Sequence, residues 1–361
     1  SFDTRLKPGV NESCHLINTF VMSDRLRSFL SMLLRREDLS RDEAAELLKA
    51  LLDTEATDAQ IAATLIALSA KGETVDELAG MVSVMRMLAV RVNTNHRTFI
   101  DTAGTGSSRA KTFNVSTAAA FVIAGAGLAV AKHGNRAASS KCGSADVLIA
   151  LGVNVQALPQ VTAQCLDECG ICFMFAPLYH GATARVAGIR RQLGVQTVFN
   201  LLGPLSNPAA APRQIVGVWR RDLVERLAQV LSVCGTERAW VVHGEDGLDE
   251  ITITGRTTVA EAQNGTVRTF SVEPQDFGLT RGSLDSLRGG DAGANADVIR
   301  EVLDGTRRDE ARALVVANSA AALFVGGMAS DLPTAARIAE RSIDDGAAQK
   351  KLDQLIQLTN Q

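Results

Sequence analysis

The sequence predicts an α/β protein with a small N-terminal helical domain and a larger α/β domain that has a mostly parallel central sheet. From Ser23 to about Val92, apolar residues recur at spacings of three and four, as on one face of a helix. After residue 97, short apolar runs alternate with Ala-rich helical stretches, the order that places crossover helices between parallel strands. The 30 glycines against 8 prolines suit an α/β protein with many tight turns.

Capping boxes mark three helix starts in the first region. In this motif a hydroxyl accepts a backbone N–H, and an acid or amide three residues later reaches back. The pairs are Ser40 with Glu43, Thr57 with Gln60, and Thr74 with Glu77. We assign residues 22–95 to the helical domain. Residues 1–21 are aperiodic, and we expect a flexible tag or extension before a natural start at Met22.

The α/β domain is assigned to residues 96–178 and 201–361. Its predicted strands are Thr98–Thr102, Leu128–Lys132, Val153–Val155, Ile171–Phe175, Ile215–Trp219, Ala239–His243 and Glu250–Thr254. Its predicted helices are Ser116–Ala126, Ser144–Leu151, Pro159–Glu168, His180–Leu193, Val224–Cys234, Asp297–Leu303, Ala311–Val325 and Leu332–Asp345. The stretch Asp285–Asn295 is rich in Gly, Asp and Ala, and we expect a surface loop there.

Composition argues against several classes of function. The net charge of -3 provides no global attraction for nucleic acid, and no apolar run approaches the ~20 residues of a membrane span. We therefore expect a cytoplasmic protein whose six cysteines stay reduced. The Cys169-Gly-Ile-Cys172 spacing suits a redox pair or half a metal site. No second pair completes a zinc set, so we favour buried apolar cysteines.

A glycine-rich turn, Gly104-Thr105-Gly106, follows the first predicted strand. Such a turn lets the backbone approach a phosphate closely, although an ordinary strand-to-helix turn has the same pattern. Next, Asn114-Val-Ser116-Thr117 opens an Ala-rich helix, where side chains can cap and the helix dipole favours an anion.

Two further motifs carry charge. Lys132-His133-Gly134-Asn135-Arg136 follows the next strand, and the small polar run Ser139–Ser144 leads into a helix that Ser144 is expected to cap. These loops would cradle a polyanion, although a solvated charge cluster is the alternative. The run Glu245–Glu250 contains four carboxylates. It suits Mg²⁺ with substrate phosphates, or equally an acidic hairpin loop.

Together these motifs resemble those of the anthranilate phosphoribosyltransferases. The resemblance covers nearly everything from residue 24 to the end. Its most specific parts are Lys132-His-Gly-Asn-Arg136 and the run Asn200-Leu-Leu-Gly-Pro-Leu-Ser-Asn-Pro208. Gly143-Ser-Ala-Asp146, Phe173-Met-Phe-Ala-Pro177 and Gly247-Leu-Asp-Glu250 also match. Pyrimidine nucleoside phosphorylases are related in architecture but usually lack both specific runs.

The resemblance implies Mg²⁺-dependent transfer of phosphoribosyl from phosphoribosyl pyrophosphate to the amine of anthranilate, in tryptophan biosynthesis. It also implies about two Mg²⁺ per subunit, a homodimer formed through the helical domain, and helices from about 179–200 joining that domain. The implied donor ligands are Gly104, Thr105, Gly106, Asn114, Ser116, Thr117, Lys132 and Ser144. Gly104, His133, Asn135 and Arg190 would bind anthranilate, and Ser116, Asp249 and Glu250 would bind metal.

Residue types and chemistry agree with this reaction. Mg²⁺ and Lys132 would stabilise the charge developing on the pyrophosphate. The aromatic amine is already neutral at pH 7, so no strong base or nucleophile is required, and positioning would carry most of the catalysis. His133 is the one candidate general base, and we do not favour that role.

The sequence departs from the family pattern at several positions. Ser107 and Ser108 replace Gly-Asp, with Arg109 and Lys111 adding charge nearby, while Gln196, Gly181 and Cys142 replace the usual Arg, Pro and Ser. Three alternatives therefore remain: a phosphoribosyltransferase for another aromatic acid, a pyrimidine nucleoside phosphorylase, and a binding paralogue without activity.

Overall fold

The computed structural model describes residues 25–106, 112–137, 142–285 and 287–361. The chain divides into two compact units. The described residues up to Val84 form one unit together with Ala182–Phe199, while Met85–Gly181 and Asn200–Gln361 form the other. No helix within the described ranges combines the length and apolarity that crossing a bilayer requires.

The elements follow in chain order. The helices are α1 (25–34), α2 (Arg41–Leu52), α3 (Asp58–Lys71), α4 (Val75–Leu88), α5 (Val115–Gly125), α6 (Ser144–Leu151), α7 (Pro159–Cys169), α8 (Ala176–Tyr179), α9 (Ala184–Leu193), α10 (Val198–Leu205), α11 (Leu223–Val233), α12 (Ala292–Leu303), α13 (Glu310–Val325), α14 (Leu332–Asp344) and α15 (Ala347–Thr359). The strands are β1 (Phe99–Gly104), β2 (Ala129–Gly134), β3 (Ile171–Phe175), β4 (Arg213–Gly217), β5 (Arg238–Gly244), β6 (Thr257–Gln263) and β7 (Thr266–Val272).

The larger unit is built on a seven-stranded sheet of order β3-β2-β1-β4-β5-β6-β7. The first five strands in this order pair in parallel, and β5, β6 and β7 pair antiparallel. Helices α5 and α13 pack on the parallel part and are buried on nearly all sides, as their Ala-rich sequences allow. The predicted fold class is therefore confirmed.

The strand order places a crevice between β1 and β4. From this central pair the crossovers run outward in opposite directions, to β2 through α5 and to β5 through α11. Because such crossovers are right-handed, α5 and α11 lie on opposite faces of the sheet. Ligands of open α/β sheets bind at the carboxyl ends of the strands where the order reverses, here β1 and β4.

Two predicted strands are wrong. Val153–Val155 joins α6 to α7, and its valines are buried without a strand partner. Glu250–Thr254 is irregular as well, because its backbone groups bond to side chains such as Asn318 instead of to a strand. In both segments the alternating apolar residues are buried although no strand forms. The alternation therefore reflects burial of one side of the segment and not strand pairing.

Other boundaries also differ from the sequence predictions. Helix α12 begins at Ala292, inside the predicted loop Asp285–Asn295, because the Asp291 side chain accepts the N–H of Ala294 and starts the helix early. The predicted helix His180–Leu193 is helical from Ala184, after a 3₁₀ turn. Helices α8, α10 and α15 were not predicted.

The antiparallel β6–β7 hairpin was also not predicted. Its two-residue turn is Asn264-Gly265, with φ of 51° and 78°. Asn-Gly between two alternating runs is a strong hairpin signal, because both residues tolerate positive φ. The signal was therefore present in the sequence.

The described cysteines are free thiols, and Cys14 lies outside the described residues. Cys169 and Cys172 are buried where α7 meets β3, and the Cys169 thiol donates to the Cys165 carbonyl at 2.9 Å. Burial raises the pKa of the Cys172 thiol well above its usual value. A thiol held neutral in this way is a poor nucleophile or metal ligand, which agrees with the interpretation as apolar core.

In the helical unit, all three predicted capping boxes form. The box at α4 extends into a buried network around Glu77, which is fully buried. One Glu77 oxygen accepts the N–H of Leu39 at 2.9 Å. The other accepts the N–H of Thr74 at 2.8 Å and the ammonium of Lys71 at 3.0 Å. Glu77 therefore joins the end of α3, the start of α4 and the segment before α2.

We predict that Glu77→Ala destabilises the protein by roughly 2 to 4 kcal/mol, because buried donors lose their acceptor. Urea unfolding followed by circular dichroism measures this effect. The matched control is Glu46→Ala, which removes exposed pairs with Lys49 and Arg25 and should cost about 1 kcal/mol or less. Equal midpoints for the two variants would contradict the prediction.

Candidate active site at the carboxyl ends of β1, β2 and β4

The ends of β1 and β4 are both glycines, and the segment around Asp249 lies directly on them. A Cβ on Gly217 would lie 1.6 Å from the backbone oxygen of Asp249, and one on Gly104 would lie 3.3 Å from its carboxylate. A side chain at position 217 would thus displace the acidic segment. Glycine at this position lets residues 249–250 reach the crevice between the strands.

Lys132, near the end of β2, is buried beside this crevice, with 4% exposure. Its ammonium donates to the Thr102 carbonyl of β1 and lies 3.3 Å from the hydroxyl of Ser116, in the first turn of α5. Burial lowers the pKa of Lys132, while the negative charges of Asp101 and Glu250 raise it. Those two carboxylates favour the charged form of the buried lysine.

Glu250 completes this cluster of charges. Burial and repulsion from Asp249 raise its pKa to about 8, against the opposing effects of Lys132 and of hydrogen bonds from Ser116. The strand ends and the acidic segment thus meet. A cation bound next to this carboxyl group would lower the electrostatic cost of ionising it.

The other acids of the 245–250 run shape their own loop. Glu245 accepts the N–H of Arg256 at 2.8 Å, and Asp246 accepts the Thr254 hydroxyl at 2.8 Å. On the far side of Glu250, the amide of Asn318 in α13 bonds both backbone groups of Ile251 at 2.9 Å. The acidic segment is therefore held from two sides, with Asp249 and Glu250 at the strand ends.

The turn after β1 is tied to β4. The N–H and hydroxyl of Thr105 both contact the carbonyl of Gly217, at 2.9 and 3.2 Å. Gly106 has a φ of 65°, a backbone conformation that favours glycine. A Cβ at this position would meet nothing within 4 Å, so the space beside the backbone is open. Ser107, Ser108, Arg109 and Lys111 lie outside the described residues.

Helix α5 starts at the same edge. Asn114 is its N-cap residue but makes no side-chain capping bond. Two residues on, the Ser116 hydroxyl contacts both Lys132 and Glu250. The Thr117 hydroxyl is buried, and among the described residues it has no hydrogen-bond partner. The helix thus presents a polar first turn to the crevice, where its dipole favours an anion.

His133 follows Lys132 and is also buried. Its backbone N–H donates to the Asp101 carboxylate at 3.1 Å. The centroid of its ring lies 5.0 Å from that of the His180 ring. Burial, followed by the proximity of His180, lowers the pKa of His133 to about 3. The imidazole is therefore neutral at physiological pH. Asn135, two residues on, is exposed.

The prediction that Ser144 caps α6 is wrong. The N-cap residue is Gly143, whose N–H donates to the Asp146 carboxylate at 2.9 Å. Ser144 is the first helical residue, and its hydroxyl lies 3.3 Å from the carbonyl of Asn135. Ser144 therefore ties α6 to the loop after β2. Residues 138–141 of this loop lie outside the described residues.

Arg190 belongs to the helical unit, on α9. Its guanidinium lies 5.4 Å from the ring centroid of Phe199, and burial lowers its pKa. Helix α9 packs against α2 and α3.

Two important residues were not singled out by the sequence reasoning. Asp101 is fully buried in β1, and the amide of Asn207 donates to its carboxylate at 2.7 Å and to the Ala131 carbonyl at 2.9 Å. Burial raises the pKa of Asp101 to about 6, while Lys132 and these hydrogen bonds lower it. A carboxylate inside an apolar strand, and an asparagine in the specific 200–208 run, were the available signals.

Mg²⁺ fits the residues that meet here. Asp249, Glu250 and Ser116 offer oxygen atoms, which Mg²⁺ prefers, and burial together with Asp249 raises the pKa of Glu250 more than Lys132 lowers it. Over the described ranges, no three His, Cys, Asp or Glu side chains form a group able to hold a metal. An ion at Asp249 and Glu250 would therefore need water or substrate oxygens as further ligands.

Comparison with known proteins agrees with the fold and the motifs. A family described as "Glycosyl transferase family, a/b domain" matches residues 96–349, and its "helical bundle domain" matches residues 27–89. The anthranilate phosphoribosyltransferase of Moorella thermoacetica is 51% identical over 331 residues, covering 92% of this chain and 97% of that protein. That of Anaeromyxobacter dehalogenans is 52% identical over 330 residues, with 91% and 97% covered.

Solved structures show the same likeness. The anthranilate phosphoribosyltransferase of Thermus thermophilus has a TM-score of 0.87 at 37% identity, covering 92% of this chain and 99% of that one. The Saccharomyces cerevisiae enzyme in complex with PRPP and Mg has a TM-score of 0.86 at 27% identity, with 94% and 99% covered. With the sequence identity, the full-length coverage and the fold in agreement, the chain belongs to the anthranilate phosphoribosyltransferase family.

Proposed function

We propose that this protein transfers the phosphoribosyl group of phosphoribosyl pyrophosphate to the amine of anthranilate and releases pyrophosphate, a step of tryptophan biosynthesis. The observation that carries the proposal is the cluster of the buried Lys132 with the partly buried Ser116 and Glu250 at the point where the strand order reverses. A buried ammonium beside an acid pair suits a substrate that brings both a polyanion and a divalent cation.

The donor is held by the loops that meet at this edge. The open backbone at Gly106, the polar first turn of α5 and the ammonium of Lys132 supply its phosphate ligands. The proposed donor ligands are Gly104, Thr105, Gly106, Asn114, Ser116, Thr117, Lys132 and Ser144. The N–H and the hydroxyl of Thr105 are both bonded to the Gly217 carbonyl of β4, so this residue contributes by holding the turn that carries Gly106 in place.

In the reaction the bond between C1 of the ribose and the pyrophosphate oxygen breaks, and its electron pair leaves with pyrophosphate. The lone pair of the anthranilate nitrogen forms the new bond to C1, and one N–H proton is released. Lys132 stabilises the charge that develops on the leaving oxygens. Asp249, Glu250 and Ser116 would hold Mg²⁺, which would supply further positive charge for the leaving pyrophosphate.

The acceptor needs orientation more than proton transfer. We propose that Gly104, His133, Asn135 and Arg190 contact anthranilate. The Arg190 guanidinium suits a carboxylate. The neutral imidazole of His133 can give or accept a hydrogen bond without adding charge. Because its pKa is so low, His133 is a weak base, which disfavours general-base catalysis by this residue.

We extend the proposal to assembly and location. Residues 22–95, with helices from about 179–200, act as the helical domain, and residues 96–178 and 201–361 act as the donor-binding domain. Two Mg²⁺ bind per subunit, and the enzyme is a cytoplasmic homodimer formed through the helical domain.

We predict that the protein consumes anthranilate when phosphoribosyl pyrophosphate and Mg²⁺ are present. The decrease in anthranilate fluorescence measures the reaction, and a panel of substituted benzoates tests acceptor identity.

Lys132→Met keeps most of the buried volume but removes the charge, and kcat should fall by about 10² to 10³. A wild-type protein that leaves anthranilate unchanged at every Mg²⁺ concentration would refute the proposal.

We predict that Gly217→Ala lowers kcat/KM at least about tenfold, because the added methyl would displace Asp249 and the metal ligands with it. Raising Mg²⁺ should restore part of the activity. The matched control is Gly188→Ala, where a Cβ would meet nothing within 4 Å, and its activity should equal that of wild type. Equal activity of the two variants would rule out this role for Gly217.

We predict that the His133 imidazole stays neutral from pH 8 to pH 4, as followed by NMR of labelled histidine. Its folded pKa of about 3 lies below the unfolded value of about 6.5. The unfolded chain therefore binds this proton first, and the stability contributed by neutral His133 is present above pH 6.5 and lost as the pH falls toward 3.

Replacing His133 tests this linkage. Between pH 7.5 and 5, His133→Asn should lose less stability in urea unfolding than wild type. The matched control is His96→Asn, which removes a histidine whose ring contacts the Leu166 carbonyl at 3.0 Å. An imidazole that titrates near pH 6.5 in the folded protein would contradict the prediction.

A further inference from the structure

A segment from the last third of the chain is fastened to the start of α5. Arg288 forms a backbone bridge with Thr112, and a Cβ on Gly289 would lie 2.4 Å from the Thr112 carbonyl oxygen. The two backbones therefore touch directly. Three residues after α12 begins, the buried amide of Asn295 lies against Asn114.

A chain of hydrogen bonds runs through this contact. The N–H of Gly290 donates to Asn295 Oδ1 at 2.8 Å, and Asn295 Nδ2 donates to Asn114 Oδ1 at 3.0 Å. Cys142 lies on the other side, with its Sγ 3.4 Å from Asn114 Oδ1. Asn114 Nδ2 in turn donates to the Cys142 carbonyl at 3.4 Å.

This chain determines which way the Asn114 amide points. Gly290 N–H is a backbone donor, so it requires the oxygen of the Asn295 amide to face it. The Asn295 nitrogen must then face Asn114, which requires the Asn114 oxygen. If the Asn114 amide turned over, its nitrogen would oppose the Asn295 nitrogen, and its oxygen would oppose the carbonyl of Cys142.

The orientation matters for an anion. In the observed orientation Asn114 Oδ1 is engaged by Asn295, and the nitrogen has a second hydrogen to donate besides the one bonded to Cys142. A reversed amide would present a carbonyl oxygen in its place, which repels phosphate. The family resemblance and the position of Asn114 at the α5 N-terminus make it a proposed donor ligand.

We infer that Asn295 is a positioning residue for the phosphoribosyl pyrophosphate site. Asn295 holds the Asn114 side-chain amide in the orientation that makes the N–H groups of Asn114 available to the donor. The inference rests on the proposed function and deepens it. Asn295 acts through its hydrogen bond to Asn114. Donor binding is therefore sensitive to a residue 181 positions away in the sequence.

Asn295→Ala should raise the KM for phosphoribosyl pyrophosphate roughly 3- to 10-fold, as expected for one hydrogen bond. The KM for anthranilate should stay within twofold of wild type. The matched control is Asn154→Ala. Asn154 also joins distant segments of the chain, because its side-chain amide donates to the Thr359 carbonyl in α15. Its KM for the donor should equal that of wild type.

A double-mutant cycle separates positioning from general stability. In an Asn114→Ala background, Asn295→Ala should change the donor KM by less than twofold, because the amide that it orients is gone. Independent effects that multiply would overturn the inference.

Asn295→Asp provides a second variant if the alanine protein folds poorly. It keeps the acceptor for Gly290 N–H but presents an oxygen to Asn114, so the donor KM should rise more than with alanine. In the Asn114→Ala background the remaining effect of the aspartate reports its charge alone. An aspartate effect equal in both backgrounds would count against positioning.

Calorimetric binding of phosphoribosyl pyrophosphate to each variant, without anthranilate, gives the same comparison without catalysis. Weaker donor binding by the position-295 variants is the expected result. A wild-type protein that binds the donor and turns over, with unchanged affinity in these variants, overturns the inference alone. A wild-type protein that does not bind the donor overturns the proposed function with it.

Discussion

Burial of charge at the carboxyl edge of the sheet is the constraint on which the rest of the site depends. Asp101 and Lys132 are buried and Glu250 is partly buried, and burial shifts the pKa of each group in the direction that favours its neutral form. Each charge is tolerable because the others are near, since a buried charge without a partner is costly. The cluster therefore requires three chain segments to meet, and loss of one member alters the electrostatics of the others.

Backbone contacts bring these segments together. Glycine at the ends of β1 and β4 allows residue 249 to lie on the strands, and Asn318 holds the same segment from α13. The side-chain amide of Asn207 supports the cluster by donating hydrogen bonds to Asp101 and to the backbone of β2. These residues need not touch substrate. They define where Lys132 and the acid pair stand, and small displacements of such groups are costly in catalysis that relies on positioning.

Local signals in the sequence predicted much of the fold and part of the site. The helical region, β3 and the parallel sheet follow from periodicity and turn residues, because these reflect interactions between near neighbours in the chain. The segments at 153–155 and 250–254 show where such reasoning fails. Alternating apolar residues indicate burial on one side, and whether a strand or a helix covers them is decided by residues far away in sequence. The Asn264-Gly265 hairpin, in contrast, has a local signal in its two turn residues.

In the candidate site, too, some features follow from the sequence and others only from the tertiary structure. By itself, the sequence determined the chemistry available: phosphate-binding turns, a lysine with a histidine after one strand, and an acid pair after another. Only the tertiary structure decided that Glu245 and Asp246 bond within their own loop while Glu250 lies near both Lys132 and Asp249, and that Asn295 bonds Asn114. The physical reason is that hydrogen-bond orientation and electrostatic coupling act over a few ångströms in space, whereas these partners are separated by up to 181 residues along the chain.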